Sequence, residues 1–259
     1  MQGDTFTYEP FTRISPRKKR KGKTNKEISS PLDLLRRARE DLSADGTWLS
    51  DCEEHLRFAL WDMCIKPRRV LCLGLGSPTS SRDARAQLAL LNRLCAFAEI
   101  GPTNISLCDP IFTGADEELF RLLGMRCTRA YWFWTDPIQD VDHSLHHPTI
   151  VFMPHCDLKL YEIVLRANWS RQRLCNMVLV ANSFGDYFDH NLTSRLEREA
   201  PCLSRIGPLV ESRPLPVSAA FPTAFNNLAV QYVKEASLSD DGLFGELPAF
   251  EYPNEREMC

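Results

Sequence analysis

Four short polar clusters hold the residues whose types and spacing could do chemistry. The first is Gly74-Leu75-Gly76-Ser77-Pro78-Thr79-Ser80-Ser81-Arg82, directly after the apolar run Val70-Leu71-Cys72-Leu73. Glycines at 74 and 76 let the chain turn sharply, and free amides at the start of a following helix favour phosphate or carboxylate. Thr79 stands where a dinucleotide-binding GxGxxG would have its third glycine, so a simple strand-to-helix turn is the competing reading. The second cluster is Asp109-Pro110, after Ile105-Ser106-Leu107-Cys108. An acidic residue there either takes a ribose hydroxyl of a dinucleotide or adenosyl group, or caps a turn.

The third cluster is Met153-Pro154-His155-Cys156-Asp157. His155 is the candidate acid–base residue, because imidazole titrates near neutrality. Cys156 can act as a nucleophile only if its thiolate is stabilised. Both also read as packed residues lining a cleft. The fourth is Ala181-Asn182-Ser183-Phe184, where Asn182 and Ser183 offer neutral hydrogen-bonding groups, with Asn168-Trp169-Ser170 a little upstream. The ligand-binding set is therefore Gly74, Gly76, Ser77, Asp109, His155, Asn182 and Ser183. His143, His146 and His147 fall in a polar loop with no matching ligand set, so no metal site is assigned.

These clusters need a scaffold that brings strand ends together. Each follows a short apolar run, and the runs alternate with helical periodicity over 84–97, 116–123 and 158–167. Together with strands at 127–133 and 149–153, the pattern implies right-handed crossovers and a parallel sheet with helices on both faces. In such a sheet ligands bind outside the carboxyl ends of the strands. Two later apolar runs, 209–215 and 227–233, lack a clear long helix between them. They predict an antiparallel edge pair, as in methyltransferase-like sheets. Two helices precede the sheet, the first starting at Ser30-Pro31 with serine as N-cap and proline at the first turn, the second over 49–63. A polar helix is expected over 189–199. The fold class is α/β and Rossmann-like, in one domain over 28–236.

Residues 1–27 form a basic arm, with Arg17-Lys18-Lys19-Arg20-Lys21 and Lys23, and are expected to be disordered because nothing in them can form a core. The run reads as a nuclear-import or phosphate-contacting tract, or as a solvated tail. Residues 237–259 are acidic and likewise expected to be disordered. The formal net charge is −3, so no basic field recruits nucleic acid beyond that arm. No run approaches the ~20 apolar residues of a membrane helix, and the start lacks a hydrophobic signal segment. The ten cysteines are scattered without a CxxC pair, and several sit in apolar runs. Reduced thiols in the cytoplasm are expected, with the nucleus as a second compartment if the basic tract is an import signal.

Leu73 to Pro78, Cys108-Asp109-Pro110, Phe152 to Cys156, Ala167 to Ser170, Asn182-Ser183-Phe184 and Phe225-Asn226-Asn227 occur in order and together resemble the sensitivity-to-red-light-reduced family, close to its animal members. The resemblance covers about 56–234. It implies a role in light and circadian signalling in plants, and in haem biosynthesis and clock-gene expression in animals. It implies no reaction, cofactor or catalytic residue.

Two functions are therefore expected to compete. One is a regulatory protein acting through protein partners or a small ligand, with haem or a nucleotide-like molecule as candidates. The other is a Rossmann-type enzyme, adenosylmethionine-dependent or nucleotide-binding. The turn after Gly74 lacks the fuller glycine pattern and the acidic residue of adenosylmethionine sites, which favours the regulator.

Overall fold

The computed structural model describes residues 29–128 and 145–249. The apolar runs become strands: β1 (Arg69–Leu73), β2 (Ile105–Cys108), β3 (Arg126–Thr128), β4 (Thr149–Met153), β5 (Met177–Asn182), β6 (Val210–Pro214) and β7 (Leu228–Val233). They form one sheet in the order β3-β2-β1-β4-β5-β7-β6. The first five are mutually parallel, while β7 runs antiparallel to both β5 and β6. The expected edge pair is present, with β7 inserted next to β5 and β6 outermost. The expected third strand, 127–133, is seen only as Arg126–Thr128, because the rest lies outside the described residues.

Register explains why the central strands are apolar on both sides. Ile105, Val70, Ile150 and Val178 lie in one row across four strands. All four point into the core beneath the helices α1 (Pro31–Ser43), α2 (Trp48–Asp62), α3 (Arg82–Phe97) and α4 (Gly114–Leu122). The next row, with Val151 and Leu179, faces the opposite core beneath α5 (Leu158–Ala167), the short α6 (Arg171–Leu174) and α9 (Pro201–Ile206). A parallel strand covered on both faces must read as a continuous apolar run. Each fully buried aliphatic or aromatic side chain contributes about 1.5–3 kcal/mol.

The helix signals hold at their starts. Ser30 accepts the Asp33 amide with Pro31 behind it, and Ser81 accepts the Ala84 amide. Two expectations change. The polar helix expected over 189–199 is a set of short pieces, α7 (Phe184–His190), α8 (Thr193–Glu199) and α9, broken by extended backbone at Asn191 and by Ala200-Pro201. The tail expected to be disordered from 237 packs against the core as far as Leu247. Leu238 is fully buried, Leu243 and Phe244 lie against the α5 core, and Arg205 donates to the carbonyls of Gly245 and Glu246 at 3.0 Å. Its acidic composition hid the apolar residues that dock it. The basic arm to residue 28, His143 and the tail from 250 lie outside the described residues.

Among the described residues no helix is long and apolar enough to cross a membrane, no cluster of His, Cys, Asp or Glu could hold a metal, and the cysteines are free thiols.

Candidate functional site

All the predicted site residues lie at the carboxyl ends of β1, β2, β4 and β5, but they form two hydrogen-bonded groups. On the β1–β2 side the chain leaves the sheet through Gly74 (φ +64°) and Gly76 (φ +75°), both left-handed, where glycine avoids the Cβ penalty. The Asp109 carboxylate reaches across from β2. Its Oδ2 accepts the Gly76 amide at 2.7 Å, and its Oδ1 accepts the Ile111 amide two residues on at 3.0 Å. The second bond is a turn cap, one of the two roles the sequence allowed. The first gives a loop amide, offered by the sequence to a ligand anion, to the protein's own carboxylate. Burial raises the Asp109 pKa above its ordinary value; the two amides pull it back and the nearby Asp116 adds to the rise.

Asp116, the residue sequence reasoning passed over, organises this side. It is completely buried. Its Oδ1 accepts from Ser77 Oγ (3.0 Å), Thr79 N (2.9 Å) and Thr79 Oγ1 (2.7 Å). Its Oδ2 accepts from Thr113 N (2.8 Å) and Thr113 Oγ1 (2.7 Å). Burial works against its charge, but the amides and hydroxyls of Thr113 and Thr79 outweigh it and lower the pKa. Ser77 is thus committed to Asp116, while its carbonyl accepts the Ser80 and Ser81 amides. The spacing Thr113-x-x-Asp116 before an apolar run is a capping-box signature and was the available signal.

On the β4–β5 side the bonds are neutral. His155 has a left-handed backbone (φ +54°) and is exposed. Its amide donates to Asn182 Oδ1 at 2.8 Å, and its Nε2 donates to the Ala224 carbonyl at 3.1 Å, which requires the proton on Nε2. Gln87 Nε2 donates to the same carbonyl at 3.0 Å. Asn182 Nδ2 donates to the Cys156 carbonyl (3.2 Å) and to Tyr187 Oη (3.1 Å). The buried Tyr161 hydroxyl donates to Met153 O at 2.7 Å and accepts the Asn182 amide at 3.0 Å, tying the ends of β4 and β5 together. The Ser183 amide donates to Asn227 O at 2.7 Å, fixing the last of the sequence blocks against β5. Tyr161, Tyr187 and Gln87 were not among the expected site residues. Each is ordinary core or helix-face material in sequence, and only the fold shows where its polar tip ends.

Cys156 joins the two groups. A Cβ placed on Gly74 would lie 2.5 Å from Cys156 Sγ, so the missing side chain is what lets the thiol sit there. The thiol donates to the Leu73 carbonyl at 3.4 Å. Burial pushes its pKa well above the ordinary thiol range, with Asp157 and Asp109 adding to the effect. This is a neutral packed thiol, opposite to the condition a nucleophile needs. Asn168, from the block before β5, is also structural: it accepts the Leu145 amide at 2.7 Å and donates to Val164 O at 2.9 Å. Trp169 packs edge-on to Phe244.

The stretch that carries these groups is also the stretch that matches known proteins. The SRR1 domain model matches residues 62–232, more than half the chain. The chain belongs to the SRR1 domain family. It is similar to an SRR1-like protein of Mus musculus, 25% identical over 138 residues that make up 53% of this chain and 53% of the mouse protein. An SRR1-like protein of Drosophila melanogaster is 28% identical over 182 residues, 68% of this chain and 59% of the fly protein. The Arabidopsis thaliana protein SENSITIVITY TO RED LIGHT REDUCED 1 is 28% identical over 119 residues, 46% of this chain and 41% of the plant protein. The matched stretch thus spans about half the length of these relatives. The SRR1 region begins at the end of α2 and ends within β7, so among the described residues it contains β1 to β6, all of β7 but Val233, and every predicted site residue.

Proposed function

We propose that this SRR1-family domain is a regulatory binding module rather than a catalyst. It acts in light- and rhythm-linked control and in haem synthesis, through a small ligand or protein partner met at the carboxyl edge of β4 and β5. The plant relative's name supports the light-linked half of this reading. The observation that carries the rest is how the strand-end groups are used. Asp109, Asp116 and Ser77 bond to the protein's own loop, and the Cys156 thiol is held neutral, whereas His155 is exposed and Asn182 and Ser183 are half-buried beside it. One exposed imidazole over a rigid hydrogen-bonded base suits recognition more than bond making. The basic run at 17–23 is proposed to direct the protein between cytoplasm and nucleus.

A second reading is favoured by one observation. The order β3-β2-β1-β4-β5-β7-β6 with β7 antiparallel supports a Rossmann-like, methyltransferase-like sheet, whose ligand position lies over β1 and β4. Native mass spectrometry of the purified protein separates the readings. A co-purifying nucleotide, adenosylmethionine or haem, released chemically unchanged and lost in Asn182→Ala, is expected for the binding module. Conversion of added adenosylmethionine to its demethylated product would overturn it in favour of the enzyme.

A further inference from the structure

A second candidate site lies away from the strand ends, in the helical layer. A cavity of about 390 Å³ opens between α1 and α3, with Leu49 of α2 at one side. That volume falls at the lower end of the range for small-molecule sites. Its α3 wall is formed by Ala89, Asn92, Arg93 and Ala96, the one-face spacing of a helix, and it begins about 12 Å along α3 from the Ser81 cap.

The polar lining has one sign. Arg39 and Arg93 face the cavity and no carboxylate does. Arg93 has its partner, Glu53, elsewhere on the neighbouring helix. The guanidinium of the exposed Arg39 makes no ion pair or hydrogen bond among the described residues, although Glu40 beside it is engaged by Arg36. Partial burial depresses the Arg39 pKa with no acid to offset it. Asn92 Nδ2 is buried without a hydrogen-bond partner, a costly state for an amide donor. Ser43 gives its hydroxyl proton to the Arg39 carbonyl at 2.8 Å and so adds no donor. The remaining lining, Leu42, Leu49, Ala89 and Ala96, is apolar.

We propose that this groove binds a small amphipathic carboxylate, its acid group held by Arg39 and Asn92 and its hydrocarbon body laid on Leu49 and Ala96, over the buried Leu42 and Ala89. One guanidinium and one amide match a carboxylate, which accepts a guanidinium fork and one further N–H. A phosphate dianion calls for more charge than one unpaired arginine supplies. A bare inorganic anion would leave the apolar wall in contact with water.

The test is titration calorimetry of the full chain with octanoate, neutral octanamide and inorganic phosphate as probes. Octanoate is expected to bind saturably, and octanamide and phosphate at least about tenfold more weakly, the loss of a charge-assisted contact or of the apolar one. Arg39→Leu removes the charge and is expected to weaken octanoate about tenfold or more. Ala96→Leu keeps both donors, is well tolerated in a helix and fills the groove, and is expected to do the same. Should either variant fail to fold, the comparison of octanoate with octanamide on the unaltered chain still decides. Absence of saturable octanoate binding, equal binding of octanamide, or variants that bind like the parent overturns the proposal.

Discussion

The two halves of the sheet edge use the same kinds of residue to opposite ends. On the β1–β2 side, two carboxylates take their bonds from the loop between Gly76 and Thr79 and from the turns that follow Asp109, so charge is spent on holding backbone. On the β4–β5 side, uncharged groups hold one another, and the exposed member, His155, stands on a left-handed backbone. An acidic residue at a strand end is thus an anchor in one half, while a histidine in the other, held through Nε2 on the Ala224 carbonyl, keeps an exposed ring for an incoming group. Residue type alone does not tell the two roles apart; the number of donors already aimed at the side chain does.

The comparison is broken most directly at Asp116. Asp116→Ala leaves five donor contacts without an acceptor in a fully buried place and is expected to cost about 3 kcal/mol in urea unfolding. A variant as stable as the parent would show that the β1–β2 side is not an anchor. Gly74→Ala comes next. It forces a left-handed alanine and places its Cβ against Cys156 Sγ, for about 2 kcal/mol. Cys156→Ala in the same chain is expected to recover part of that loss, and strict additivity of the two changes would show that the halves do not touch there.

The smallest effect is one of sign. Asp109 is held above the reference value of 3.8 and Asp116 below it. A folded-state pKa above the unfolded one means the folded chain binds more protons between the two. The Asp109 contribution to stability therefore falls as pH rises from 3.8 to its folded pKa, then stays level. Asp116 behaves oppositely, its contribution being present above 3.8 and lost as pH falls through its lower folded pKa. Urea unfolding across the acid range is expected to give a parent-minus-Asp109→Asn difference that declines with pH. The parent-minus-Asp116→Asn difference is expected to rise. Slopes of one sign would mean that the two carboxyls share one environment.

Much of this was legible beforehand where one physical rule acts alone. Val70 to Leu73 and Met177 to Ala181 are apolar throughout because both faces of a parallel strand are covered, and Ser30-Pro31 caps a helix with no help from afar. What stayed hidden depends on partners distant in sequence. Gln87 and His155 meet at the carbonyl of Ala224, 137 and 69 residues away, and nothing local in any of the three announces it. The acidic tail misled for the same reason. Its composition is that of a solvated chain, yet Leu238, Leu243 and Phe244 are spaced to reach the α5 side of the sheet. Asp109 was placed at the right strand end, but the Gly76 amide that occupies it belongs to a loop whose shape only the sheet register sets.

The thiol of Cys156, wedged where residue 74 has no side chain, gives this edge a built-in sentinel. Sulfur cannot grow there: a sulfenic oxygen or an attached label needs volume that the Gly74 turn occupies, so the chain must first part at that seam. The speed with which a thiol reagent captures Cys156 therefore counts openings of the β1–β4 junction. Whatever settles over the sheet edge and keeps it shut will be read out as a slower clock.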